Sequence, residues 1–374
     1  MKIGIISIHS AHNYGSVLQA YALQEEIKKF NEDVKIINYR PNYFDTQYKM
    51  FSIKVYKRYK GIINKILHLG WRILKIRSRY IKYRKFENYI KNRYNLTKKY
   101  RTYKELEKAN FDFDIIFCGS DQIWNTDITE GFDKSFYLGF ADKKTIKASY
   151  AASVGREKID LKYEEEYKKY IGRLDFIALR EEESKNIIQE YTEKPITITI
   201  DPTLLIEKEK WNEIASKSKM DIKDKYILVY ILEENEEFVK IVNAISEFLG
   251  IRVISPSKKI RFNNETIYPE VGPEDFVKLF KNAEFVITNS FHGTVFSLIY
   301  EKKNCIIPHK KTGARMCNLM KKAGLEDRII ANYNDLNLKK INKDIEYDRV
   351  KENLDAERKI AEDYIRNVLS ANGN

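Results

Sequence analysis

The chain has 374 residues, 43% of them hydrophobic, with a formal charge of +13 and three cysteines. This length and apolar content exclude a disordered chain and point to two domains, each able to bury a core. Cys118, Cys305 and Cys317 are too few and too scattered for a disulfide framework or a zinc site, and no apolar run of ~18 residues is present to span a bilayer.

Met1 to Ser7 reads as a strand and lacks the layout of a signal peptide, so a cytoplasmic location is expected. The strand ends at His9, Ser10 to Gly15 is a polar turn, and Ser16 to Phe30 carries Val17, Leu18, Tyr21, Ala22 and Ile27 on one helix face. Asn13, Gly15 and Ser16 thus occupy a strand-to-helix loop. Gly15 permits close backbone approach and Ser16 is a natural cap, which suits either an ordinary capped turn or a loop that holds an acceptor sugar or a phosphate. His9 and His12 flank the loop without a carboxylate or third ligand, and no metal site is expected. Val34 to Tyr39 is the next strand.

Residues 49–104 carry 19 Lys plus Arg against the single acid Glu87, so the basicity of the chain is local to them. Ile62, Ile66, Leu69, Ile73, Ile76 and Tyr80 recur at helical spacing with cations between them. Such a helix, with Trp71 and many tyrosines, lies on an anionic membrane surface or packs its stripe on the core while its charges are solvated. Nucleic acid is not expected, because no nucleic-acid-binding fold signature accompanies the charge.

Phe113 to Cys118 is a buried strand running into Gly119-Ser120-Asp121-Gln122. Asp121 is placed to orient a sugar hydroxyl or act as a base, Ser120 and Gln122 to hydrogen-bond, and Trp124 to stack on a sugar face; aspartate after Gly-Ser is also common turn chemistry. Strands follow at Ile146 to Val154, Phe176 to Leu179 and Pro195 to Ile200. Arg180 stands just past one of them, where it clamps a carboxylate or phosphate or simply pairs with Glu181, Glu182 or Glu183. Asp201-Pro202 breaks the regular structure, and the division expected is an N-terminal domain over 1–205, a C-terminal domain over 206–340 and a closing helix over 341–374.

The second half repeats the βα rhythm. Tyr226 to Leu232, Ile251 to Ser255, Phe285 to Thr288 and Asn304 to Ile307 read as strands; Glu236 to Leu249, Pro273 to Ala283, Thr294 to Tyr300, Arg315 to Ala323 and Asp344 to Leu369 read as helices. The expected class is α/β, with two open parallel sheets facing a cleft. Ser290, Gly293 and Thr294 fall at a strand-to-helix junction, where a helix start offers N–H groups to an anion. His292 is the side chain there that both donates and accepts a proton near neutral pH, while Ser290 and Thr294 also suit helix caps.

Five segments in chain order resemble the polysaccharide pyruvyl transferase family: Asn13 to Ala20, Cys118 to Asn125, Arg180 to Ser184 with Asp201-Pro202, Gly272 to Phe276, and Thr288-Asn289-Ser290-Phe291-His292-Gly293-Thr294. The resemblance implies two Rossmann-like domains in a glycosyltransferase-B-like arrangement. It also implies a transferase that moves a pyruvyl group from phosphoenolpyruvate to two hydroxyls of a sugar, forming a cyclic ketal, without a metal or organic cofactor. The acceptor implied is a sugar of a cell-surface polysaccharide or its lipid-linked oligosaccharide precursor, met at the inner face of the plasma membrane. His292 takes the acid role, Asp121 that of base or hydroxyl orienter, and Arg180 with the loop at Gly293 that of anion binding. Relatives commonly carry an arginine where Ser290 stands, so the clamp falls to Arg180, Arg315, Lys310 or Lys311. The alternatives are a sugar-nucleotide glycosyltransferase on the same fold, with Glu274 holding a ribose, and a non-catalytic scaffold of glycan assembly at the membrane.

Overall fold

A computed structural model of the chain describes residues 1–46, 62–233, 235–256, 262–308 and 313–373, with the backbone alone at 45–46, 62–75 and 373. Lys310, Lys311 and the side chains of Trp71 and of the predicted stripe from Ile62 to Ile73 lie outside the described residues.

Six parallel strands form the first sheet: β1 (Ile3–Ile6), β2 (Val34–Ile36), β3 (Ile115–Asp121), β4 (Ile146–Ala152), β5 (Ile177–Leu179) and β6 (Ile196–Ile198), in the order β2-β1-β3-β4-β5-β6. Five form the second: β7 (Tyr226–Tyr230), β8 (Arg252–Ser255), β9 (Glu265–Ile267), β10 (Phe285–Thr288) and β11 (Lys303–Ile306), in the order β11-β10-β7-β8-β9. The central strands are continuous apolar runs, buried on both faces, as parallel strands covered by helices must be. β9 is not among the strands expected from the sequence, because Glu265-Thr266-Ile267 is a short edge strand, only half-buried, with no apolar run to mark it.

The helices are α1 (Tyr14–Lys28), α2 (Asn42–Thr46), α3 (Ile62–Arg93), α4 (Tyr103–Glu107), α5 (Glu164–Ile171), α6 (Glu182–Ile188), α7 (Lys208–Ser216), α8 (Glu236–Leu249), α9 (Pro273–Asn282), α10 (Phe291–Ile299), α11 (Ala314–Lys322), α12 (Leu338–Ile341) and α13 (Tyr347–Ser370). The one boundary that matters for the site is α10. It begins at Phe291 rather than the expected Thr294, because Ser290 caps it by accepting from the Gly293 N–H. His292 therefore sits in the first helical turn.

Each sheet reverses its winding once, between β1 and β3 in the first and between β7 and β10 in the second. At such a point the connecting loops diverge and leave a crevice at the carboxyl ends of the strands. Two helices join the sheets. The C-terminal part of α3 buries Phe86, Tyr89 and Ile90, pairs Glu87 with Arg40, and reaches α9 through Lys85, whose ammonium bonds Asp275 at 2.7 Å. Over these residues the basic helix packs on the core. Helix α13 buries Ala361, Ile365 and Val368, donates from the Tyr364 hydroxyl to the Ser149 carbonyl of β4, and at its start donates from the Tyr347 hydroxyl to the Lys302 carbonyl ahead of β11. No helix of the described residues is long and apolar enough to cross a membrane.

Candidate functional site

The loops at the two reversals meet around a cavity of about 260 Å³. Asn13 and Ser16 reach it from the first turn of α1, Asp121 and Gln122 from the end of β3, Ser290, Phe291 and His292 from the start of α10, and Arg315 from α11. Asn289 fixes the C-terminal rim: its amide accepts from the Leu232 N–H at 2.7 Å and donates to the Glu233 carbonyl at 2.8 Å.

His292 is buried, with Nε2 3.5 Å from Asp201 Oδ2, long for a hydrogen bond but close enough for strong charge coupling. Asp201 is held rigidly, accepting from the Thr203 N–H at 3.0 Å and from Arg180 Nη1 at 3.2 Å. Burial alone raises its carboxyl pKa, but the charges of His292 and Arg180 and the hydrogen bonding of Thr203 outweigh it and hold the group well below the usual carboxylate range. On the other side of the imidazole, a Cβ on Gly15 would stand 2.1 Å from His292 Nδ1. The glycine expected to admit a ligand admits this ring instead. Gly293 plays a similar part, since a Cβ there would meet Thr288 Oγ1 at 2.2 Å, and its absence lets α10 lie close on β10.

Asp121 has a left-handed backbone, φ 79°, and accepts from Ser16 Oγ at 3.0 Å. Burial works to raise its carboxyl, and Arg180, His292 and Arg315 together bring it below its ordinary value. Arg180 is enclosed by three carboxylates: Asp201 at 3.2 Å, Glu181 at 3.4 Å and Asp121 at 3.6 Å. Those acids outweigh burial and keep its pKa raised. The expected clamp role for Arg180 thus meets a guanidinium already neutralised inside the protein. Arg315 differs. Burial and the neighbouring Arg180 lower it to about 10, and its Nε has no partner among the described residues. Phe291 stacks beneath both guanidiniums, 4.7 Å from that of Arg180 and 5.8 Å from that of Arg315.

Several expected contacts fall elsewhere. Trp124 is 1% exposed, donates from its indole to the Phe136 carbonyl at 3.0 Å and stacks on Tyr137, so its ring belongs to the core and offers no face to a sugar. Ser120 is fully buried, its hydroxyl given to the Ala151 carbonyl and its N–H to Gln19. Thr294 is buried and bonds the Ser290 carbonyl. Glu274 is half-buried on the α3 side, with Arg93, Lys217 and Lys85 as its neighbouring cations, and does not line the cavity. Asp201 is the residue whose place beside the histidine sequence reasoning missed; Asp201-Pro202 was marked as a break in regular structure and as part of a family-like segment, and was given no role in the site.

The sequence profile described as Polysaccharide pyruvyl transferase matches residues 13–311. No curated protein sequence matches the chain. Among solved structures, similar folds include the UDP-N-acetylglucosamine 2-epimerase from Rickettsia bellii, with TM-score 0.53 and 10% identity over 99% of this chain and 95% of that one. Another is the UDP-GlcNAc 2-epimerase from Methanocaldococcus jannaschii, with TM-score 0.50 and 15% identity over 91% and 90%. These likenesses establish the glycosyltransferase-B-like pairing of two Rossmann-like lobes.

Proposed function

From the premise that the chain belongs to the polysaccharide pyruvyl transferase family, and is therefore a transferase-type enzyme of glycan biosynthesis, we propose that it moves a pyruvyl group from phosphoenolpyruvate to two hydroxyls of a sugar. One observation carries the reading: the cavity brings the guanidinium of Arg315, whose Nε has no hydrogen-bond partner among the described residues, together with a histidine beside a fixed carboxylate and with the second carboxylate of Asp121. Its volume of about 260 Å³ is at the small end for ligand sites and suits a compact anion.

In this reading Arg315 and the first turn of α10 hold the donor's anionic groups. His292 Nε2 delivers a proton to the methylene carbon, which becomes the methyl group, while one sugar hydroxyl oriented by Asp121 adds to the adjacent carbon. The phosphate ester bond to that carbon breaks, the second hydroxyl closes the ring, and the two hydroxyl protons end on the methyl group and the released phosphate. Ser16 fixes Asp121, and Arg180 keeps Asp201 and Asp121 ionised in a buried setting.

A UDP-sugar donor is the second reading, and the likeness to folds named as UDP-GlcNAc 2-epimerases favours it. Thermal-shift titration separates the two, because a ligand raises Tm only through binding to the folded state. Phosphoenolpyruvate is expected to raise Tm where inorganic phosphate and UDP-sugars do not, and Arg315→Ala to abolish the shift. His292→Ala is expected to keep the shift and lose turnover by about 10²-fold or more. Stabilisation by a UDP-sugar alone overturns pyruvyl transfer; full function in His292→Ala leaves only the scaffold.

A further inference from the structure

The two long helices of the chain carry charge differently. The 32 residues of α3 include ten Lys and Arg against the single acid Glu87, whereas the 24 residues of α13 hold five Lys and Arg among six acids. On α13 cations are matched by carboxylates: Lys351 pairs with Glu301 and Arg358 with Asp355. On α3 the one acid is engaged within the protein, where Glu87 pairs with Arg40 at 2.9 Å and His12 at 3.0 Å. The outer face of α3 is left without a carboxylate of its own.

That face consists of Arg77, Tyr80, Arg84, Asn88 and Lys91, spaced by three and four residues, all exposed, along about 21 Å of helix at ~1.5 Å per residue. Phe86, Tyr89 and Ile90 turn the other way and are buried. Arg77, Arg84 and Lys91 form no ion pair among the described residues; Arg84 donates to the Tyr80 hydroxyl at 3.3 Å and lies 5.9 Å from its ring. We propose that this face docks the protein on an anionic phospholipid surface. Charge complementarity selects the occupant, since phosphodiester headgroups offer a plane of negative charge that a straight row of unpaired cations meets along its length. Tyr80 and Tyr83, 47% and 45% exposed, supply amphipathic rings suited to headgroup level. A nucleic acid carries the same charge, but a single strand is held in a groove, and α3 presents here a convex side with its other side committed to the core. Because the apolar residues of this stretch are used by the core, attachment through it is electrostatic, without insertion, and salt reverses it. None of these residues lines the small cavity, so docking does not depend on the donor.

The test is co-sedimentation of the full chain with vesicles of phosphatidylcholine, alone or with roughly a third phosphatidylglycerol. Binding is expected to the mixed vesicles in about 0.1 M NaCl, not to phosphatidylcholine alone, and is expected to be released in about 1 M NaCl, where the Debye length falls from ~10 to ~3 Å. The triple variant Arg77→Glu, Arg84→Glu, Lys91→Glu alters exposed side chains only and is expected to bind about a hundredfold more weakly. Lys339→Glu, Lys340→Glu, Lys359→Glu changes the net charge equally on α12 and α13 and is expected to stay within about threefold of the parent. The thermal shift with phosphoenolpyruvate is expected to persist in both variants, which keeps a failure of docking apart from a failure of the donor reading. Binding that is absent, equal on both kinds of vesicle, unchanged by the α3 reversals or lost equally in both variants overturns the proposal. Tighter binding of a single-stranded DNA oligomer than of the mixed vesicles at the same salt, lost in the α3 variant, also overturns it and assigns the face to nucleic acid.

Discussion

Gly15 and His292 are the clearest pair at the residue scale. The helix that starts at Tyr14 and the helix that starts at Phe291 come from different sheets, and the imidazole occupies the space a Cβ would need. Gly15→Ala is expected to cost about 1–3 kcal/mol by overpacking, and to lower kcat with little change in donor binding. Urea denaturation and initial rates check both. Gly250→Ala is the comparison: φ is +65° but nothing lies within 4 Å of the added Cβ, so the expected loss is about 1 kcal/mol, with activity unchanged.

At the scale of elements, α9 shows how a family motif is spent on structure. Gly272 to Phe276 opens the helix, and Asp275 accepts from the Gly272 N–H at 2.9 Å, from Ser218 Oγ at 2.6 Å and from Lys85 Nζ at 2.7 Å. One buried carboxylate thus caps α9 and anchors α3 to it. Asp275→Asn is expected to destabilise the protein by about 1–3 kcal/mol, measured by chemical denaturation, and to leave ligand-induced thermal shifts in place. The elements themselves were readable because apolar runs and helical periodicity are local properties; β7, β8, β10, α8 and α9 fall within two residues of their expected bounds. Most of the partners were not. The Arg180–Glu181 pair, between sequence neighbours, was legible; that Asp201 faces His292, that Trp124 turns inward beneath Phe136, and that Asp201 and Asp121 also pair with Arg180 depend on contacts between separated segments, which no local pattern encodes.

For the whole molecule, stability is tied to pH in part through two groups away from the cavity. Burial and the Arg40 charge lower His9 to about 4, so between pH 6.5 and 4 the unfolded chain takes up a proton that the folded chain refuses. Stability therefore falls as pH falls through that window, by roughly 3 kcal/mol in total. Glu87 follows lower down. Burial raises it, but His12 and Arg40 bring it to about 2, and the stabilisation present above its ordinary value of 4.5 is lost as pH drops from 4.5 to 2. A continuous decline in Tm from pH 6.5 downward is expected, with His9→Asn flattening the portion above pH 4.5 and Glu87→Gln the portion below it.

Helix α13 has one further effect, on the order in which the protein assembles during translation. The residues that cover part of the first sheet, among them Tyr364 with its bond to β4, leave the ribosome only after every strand of both sheets has been made. Until then the face around Ser149 and Tyr150 is open to the solvent of the cell. A nascent chain is thus expected to keep this part of its first-made lobe uncovered until synthesis of the last helix, which is where a chaperone would be expected to engage it.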